Sequence, residues 1–137
     1  MASDDVLLRI LTDTRTWVVV GWSPRPDRPS HGVARFLHEH GKRVLPVNPT
    51  CVGADVGLAA PVVASLADIT EPIDVVDVFR RSSRAGAVAD EAVAVGAGAV
   101  WMQLGVVDEA AAERATAAGL DVVMDRCPAI EWPRLIG

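Results

Sequence analysis

Trp17-Val18-Val19-Val20-Gly21-Trp22-Ser23-Pro24-Arg25-Pro26-Asp27-Arg28-Pro29-Ser30 is the stretch on which the fold turns. It opens with a continuous β-branched run that stops at glycine. A proline-rich loop follows, and then Val33, Phe36, Leu37 and His40 recur at helical spacing, with Ser30 a candidate N-cap and Gly41 a C′ stop. Strand, tight loop and helix thus come in succession. The same unit returns along the chain. Arg43–Val47, Ile73–Phe79, Ala99–Gln103 and Asp121–Met124 are further apolar runs. None alternates strictly between apolar and polar, as expected of strands buried on both faces of a parallel sheet. Helical stripes separate the later runs. One comprises Ala85, Val88, Ala89, Ala92 and Val93, capped by Ser82 or Ser83 and closed near Gly96; the other begins at Asp108 and runs through Ala118 to Gly119. Val6, Leu7, Ile10 and Leu11 predict a leading helix, and residues 130–136 a short closing one. Residues 49–71 are the least periodic, with one helical turn expected over Ser65 to Asp68. Alternating strands and helices require crossover connections, hence one α/β domain over residues 1–137, doubly wound on a five-stranded parallel sheet.

Composition agrees. Half of the 137 residues are hydrophobic, 23% are charged, and mean hydropathy is +0.28, which excludes intrinsic disorder. The chain holds 22 Val and 21 Ala against six aromatic residues, suiting buried strands and close-packed helices. No apolar run approaches the ~20 residues that span a bilayer, and Met1-Ala2-Ser3-Asp4-Asp5 lacks the features of a secretory leader. A cytoplasmic protein without membrane partners is expected. Cys51 and Cys127 are too few and too separated for a disulfide framework or a zinc site, and suit a reducing compartment. No metal site is expected. A net charge of −5 argues against nucleic acid, which requires a basic face. An anionic ligand would need a local cluster of donors.

In doubly wound sheets ligands bind beyond the carboxyl ends of the strands, where the winding direction reverses. The loops after Gly21, Val47, Phe79, Gln103 and Met124 therefore matter most. The first, residues 21–30, is stiffened by three prolines and carries Arg25, Arg28, Ser23 and Ser30 ahead of a helix N-terminus. Those are phosphate donors on a short leash; the competing reading is a solvated loop. The second loop begins Val47-Asn48-Pro49, where a nicotinamide-binding unit would place Asp or Glu for the ribose. That absence, with the missing later glycines of G-x-G-x-x-G, disfavours an NAD(P)-dependent oxidoreductase. Phe79-Arg80-Arg81, an apolar ring followed by cations, could stack an adenine and reach a phosphate, although a core phenylalanine beside surface arginines would look the same. Gln103 and Gly105 combine an amide with a glycine that admits close approach. Convergence of these loops on one sheet edge outweighs each bland alternative.

Gly21-Trp22-Ser23, Arg28-Pro29-Ser30, Pro46-Val47-Asn48-Pro49, Asp77-Val78-Phe79-Arg80, Trp101-Met102-Gln103-Leu104-Gly105 and Asp125-Arg126-Cys127-Pro128 occur in one order. In that order the chain resembles the stand-alone CoA-binding domain proteins, which are similar to the N-terminal domain of the succinyl-CoA synthetase α subunit. The resemblance runs from about Trp17 to Pro128. It implies a Rossmann-like three-layer αβα sandwich in which the first loop takes the phosphates and the loops after the second and third strands flank the adenosine. By position it implies coenzyme A contacts at Gly21, Ser23, Arg28, Ser30, Asn48, Phe79 and Arg80, with Gln103 and Gly105 beside the pantetheine arm. Trp22 and Pro49 lie inside the matching segments; Arg25 joins the expected site on charge alone.

Catalytic groups are scarce. Succinyl-CoA synthetases use a phosphorylated histidine in a second domain, whereas His31, His38 and His40 here all lie in or beside the first crossover helix. His40 is expected to pack on the core and His38 to face water, while a neutral His31 could donate one hydrogen bond near the phosphates. Asp74 and Asp77 are read as sharing a strand face, with strand-end hydrogen bonding preferred over an acid–base pair. No triad, metal spacing or P-loop occurs. The expectation is non-catalytic binding of coenzyme A or an acyl-CoA, with the open edge of the sheet permitting a homodimer. One alternative is a CoA-linked thiol redox protein using Cys127, which follows the fifth strand; the other reading of Cys127 is an inert buried thiol.

Overall fold

The computed structural model describes residues 2–137. Its elements are α1 (Asp4–Asp13), β1 (Thr16–Val20), α2 (Pro29–Glu39), β2 (Arg43–Val47), a 3₁₀ turn (Leu66–Asp68), β3 (Val75–Val78), α3 (Ser82–Ala94), β4 (Ala99–Met102), α4 (Glu109–Ala117), β5 (Asp121–Val123) and α5 (Pro128–Leu135). All strand pairings are parallel, in the order β2-β1-β3-β4-β5. Every residue of β1, β3 and β4 is buried, which explains runs without alternation.

Two apolar layers sandwich the sheet. Val18, Val20, Val76, Val78, Val100 and Met102 pack against alanines of α3 and α4, and the small side chains let those helices lie close. Trp17, Val19, Val75 and Trp101 point the other way, towards α1, α2 and the β5–α5 corner. The two indoles meet at 5.7 Å. Each buried ring nitrogen is satisfied, Trp17 Nε1 donating to Thr14 Oγ1 and Trp101 Nε1 to the Arg126 carbonyl. This is the expected α/β three-layer sandwich. Because β2 lies on one side of β1 and β3 on the other, the chain reverses its winding between β1 and β3. The crevice opens there.

Several local expectations need correction. Ser30 does not cap α2: Arg28 holds the cap position, Pro29 starts the helix, and Ser30 is buried in its first turn. Pro29 pre-sets the helical φ, so the helix begins two residues earlier than a Ser30 cap implies. Ser82 likewise opens α3 rather than capping it, and its hydroxyl ties to the β4–α4 loop through Gly105 and Val107. Asp108 caps α4 as expected, accepting from the Ala111 amide. His40 is exposed, stacking on Phe36 at 3.9 Å at the surface rather than entering the core.

The third strand starts later than its apolar run. Asp74 precedes it, and its Oδ2 accepts from the amides of Arg15 and Thr16, fastening the entrance of β1. Asp77 is wholly buried inside β3. Three residues apart, the two carboxylates lie on opposite sides of the strand rather than sharing a face. In the aperiodic 49–71 segment, Val63 bridges to Val47 in parallel and covers part of the β2 edge. That edge is therefore less open than the sequence implied.

Candidate functional site

Three strand ends converge on Gly21. Its amide and that of Trp22 both donate to the Val47 carbonyl, joining β1 to β2. Its φ is +89°, and a Cβ there would lie 2.6 Å from the Phe79 carbonyl oxygen. Glycine is thus required by conformation and by the closeness of β3. Trp22 turns inward and is buried, its ring 5.8 Å from His31. The Trp22 carbonyl accepts from Asn48 Nδ2, while Asn48 Oδ1 accepts from the amide and hydroxyl of Thr50. Asn48 therefore knits the loops after β1 and β2 together.

Beyond Trp22 the loop folds on itself. The Ser23 hydroxyl accepts from the Arg25 amide, and the Arg28 amide donates to the Arg25 carbonyl. Arg25 pairs with Asp27 at 3.0 Å in solvent, so its charge is partly offset. His31 Nδ1 lies 3.0 Å from the Ser23 carbonyl. A carbonyl only accepts, so Nδ1 carries the hydrogen and that donor is committed to the loop. This corrects the expectation that His31 donates to a ligand; it props the loop instead. The N-terminus of α2 has no side-chain cap; Pro29 has no N–H and the His31 amide donates to the Arg28 carbonyl, so among the first three helical positions the Ser30 amide is the open donor.

The result is a crevice of about 710 Å³ along the carboxyl edge of the sheet, within the size range of cofactor sites. Eleven of the twelve residues expected at the site line it; Gly105 does not. The Gly105 amide donates instead to Asp125 Oδ1 at 2.7 Å, tying the β4 loop to the β5 loop. Asp125 takes φ +58°, a left-handed conformation that aspartate tolerates better than most residues.

The lining is polarised. Arg28, Arg80 and Arg81 have no ion-pair partner among the described residues, so three guanidinium groups face a protein of net charge −5 without neutralisation. Gln103, Leu104, Val106 and Cys127 line the remainder. Gln103 is 5% exposed and its Oε1 has no hydrogen-bond partner. Such an atom forfeits solvation unless something donates to it. Asp77, deeper in the same sheet, also has both carboxylate oxygens unpartnered, and burial pushes its pKa well above the usual carboxylate range.

Arg81, read from sequence with Arg80 as a cation after Phe79, lines the crevice. Thr50, Leu104, Val106 and Pro29 line it without having been singled out. Leu104 and Val106 carried no signal, because an apolar loop residue reads equally as packing. Among the described residues no group of three metal ligands occurs, and no helix is long and apolar enough to cross a membrane.

Residues 15–133 match the profile of the CoA binding domain family. This chain belongs to that family. The CoA binding domain is 42% identical over 118 residues to an uncharacterised Bacillus subtilis protein, YneT, covering 86% of this chain and 85% of that one. A solved Thermus thermophilus structure shares 39% identity with a TM-score of 0.91, covering 98% of this chain and all of its own. A hypothetical protein from Pyrococcus horikoshii matches at 34% identity and TM-score 0.90, covering 99% and 94%. The family domain thus spans nearly the whole chain here, in a fold that the two solved structures share.

Proposed function

We propose that this chain binds coenzyme A or an acyl-CoA, without catalysing a reaction, in the crevice between β1 and β3. One observation carries the reading: three unpaired arginines and an uncapped helix N-terminus stand at one side of a crevice whose other side holds an unsatisfied amide oxygen and apolar groups. Coenzyme A has the matching layout, with a pyrophosphate and a 3′-phosphate at one end and an amide-bearing pantetheine arm at the other. Arg28, Ser23 and Ser30, with its open amide, serve the phosphates. Asn48 and Pro49 hold one wall of the adenosine site, with Phe79 and Arg80 on the other. Gln103 accepts from the pantetheine amides. Each charge-assisted hydrogen bond contributes about 1.5–3 kcal/mol.

The membership in the CoA binding domain family supports the same ligand. A nicotinamide nucleotide fits less well. Asn48, which occupies the ribose-clamp position, has its amide engaged by the neighbouring loops, and three cations exceed what NAD, with its pyrophosphate alone, calls for. The free thiols of Cys51 and Cys127 suit a reducing cytoplasm.

The test is native mass spectrometry of the purified protein for a co-purifying species of coenzyme A mass, with calorimetric titration of CoA, acetyl-CoA and NADH. Tighter binding of either CoA species than of NADH is expected. NADH binding more tightly than both would overturn the reading.

A further inference from the structure

The strand order sets a direction along the crevice. Its cations and open helix end follow β1 and β3, whereas Gln103 follows β4 and Cys127 follows β5. Parallel strands lie about 4.8 Å apart, so three spacings separate the ends of β1 and β5 by roughly 14 Å. A ligand anchored by its phosphates at β1 and β3 and extended along the edge brings its far end to Cys127. In coenzyme A, that end is a sulfur.

Cys127 is a free thiol that lines the crevice although only 8% of it is exposed. It occupies the residue before α5 and makes no capping hydrogen bond there. Its loop is pinned on both sides: the Arg126 carbonyl accepts from Trp101 Nε1, the Arg126 amide donates to the Met102 carbonyl, and Asp125 holds the Gly105 amide. Gln103, nine-tenths buried with an unpartnered Oε1, lines the same stretch and independently calls for a donor-bearing ligand. Cys51, the other cysteine, follows β2 and does not line the crevice.

Resting on the coenzyme A reading, we infer that Cys127 undergoes thiol–disulfide exchange with CoA disulfide, holding one CoA on the protein as a mixed disulfide. The Cys127 thiolate attacks one sulfur of the CoA disulfide. The Cys127–CoA bond forms as the original sulfur–sulfur bond breaks, and the second CoA leaves as a thiolate that takes up the proton the cysteine lost. One disulfide replaces another, so no additional oxidant is needed.

The test uses the reduced full-length protein and two probes: CoA disulfide, and pantethine, which has the same disulfide but no nucleotide. Intact-mass and peptide mapping should show one CoA added at Cys127, reversed by dithiothreitol, and retained in Cys51→Ser. CoA disulfide should react at least ten-fold faster than pantethine, and Arg28→Ala/Arg80→Ala should remove that advantage. A protein that binds CoA by calorimetry yet forms no adduct at Cys127 overturns this inference and leaves the binding assignment standing. Equal rates with the two probes also overturn it. Absence of CoA binding removes both.

Discussion

Replacing Gly21 with alanine drives a methyl group against the end of β3. The new Cβ would lie 2.6 Å from the Phe79 carbonyl oxygen, about 0.8 Å short of the 3.4 Å at which ordinary contact begins. The obstacle is backbone held in a parallel ladder, so it cannot swing aside as a side chain would. A left-handed φ costs alanine about 1–2 kcal/mol, and overpacking adds about 1–3 kcal/mol. The expected loss is about 2–5 kcal/mol. For a domain of this size that lowers Tm by roughly 6–15 °C. Gly105→Ala is the internal control: its φ is +78°, but nothing lies within 4 Å of its added Cβ. Only the conformational cost applies, about 1–2 kcal/mol, or roughly 3–6 °C. Differential scanning calorimetry of both variants separates strain from collision. CoA titration of Gly21→Ala should also show weakened binding, because the loops after β1, β2 and β3 meet at this residue. Similar Tm losses in the two variants would show that the close approach of β3 to the first loop carries no energy, and the account of the crevice would fail with it.

Arg28→Ala should weaken CoA binding at least several-fold by calorimetry while leaving Tm unchanged, since Arg28 is exposed and has no ion-pair partner; unaltered affinity would contradict its assignment. Asp77 makes a prediction about pH. Its folded pKa is raised by burial, so above the unfolded value the native state binds more protons, and this group's contribution to stability falls as pH rises. Asp77→Asn keeps the shape without that titration, so its stability relative to wild type should rise as pH increases from about 4; urea midpoints showing no such trend would contradict the upward shift of Asp77. Asp74→Ala removes an acceptor shared by two amides at the start of β1. A loss of about 1–3 kcal/mol in urea unfolding is expected, and no loss would mean that water satisfies those amides equally well.

Much of this protein was legible along the chain because its information is local. An unbroken Val18-Val19-Val20 run ending at a glycine specifies a strand buried on both faces and a tight exit, and five such runs separated by helical stripes leave a parallel sheet as the arrangement that buries them all. Since ligands gather at one edge of such a sheet, the crevice residues could be named from the strand ends, and eleven of twelve lie there. One local signal was outweighed by its neighbour: the fixed φ of Pro29 moved the α2 cap from Ser30 to Arg28. Other features depend on contacts between segments far apart in sequence. Gly105 looked like a site residue, yet its amide is taken by Asp125, twenty positions away, and that pairing could not be read from either loop alone. His31 and Asn48 have polar groups suited to a ligand, but most of that hydrogen-bonding capacity is spent on neighbouring loops. Periodicity reports which way a side chain faces. Whether its polar atoms are already satisfied is decided only when segments distant in sequence bring a donor and an acceptor within about 3 Å of each other.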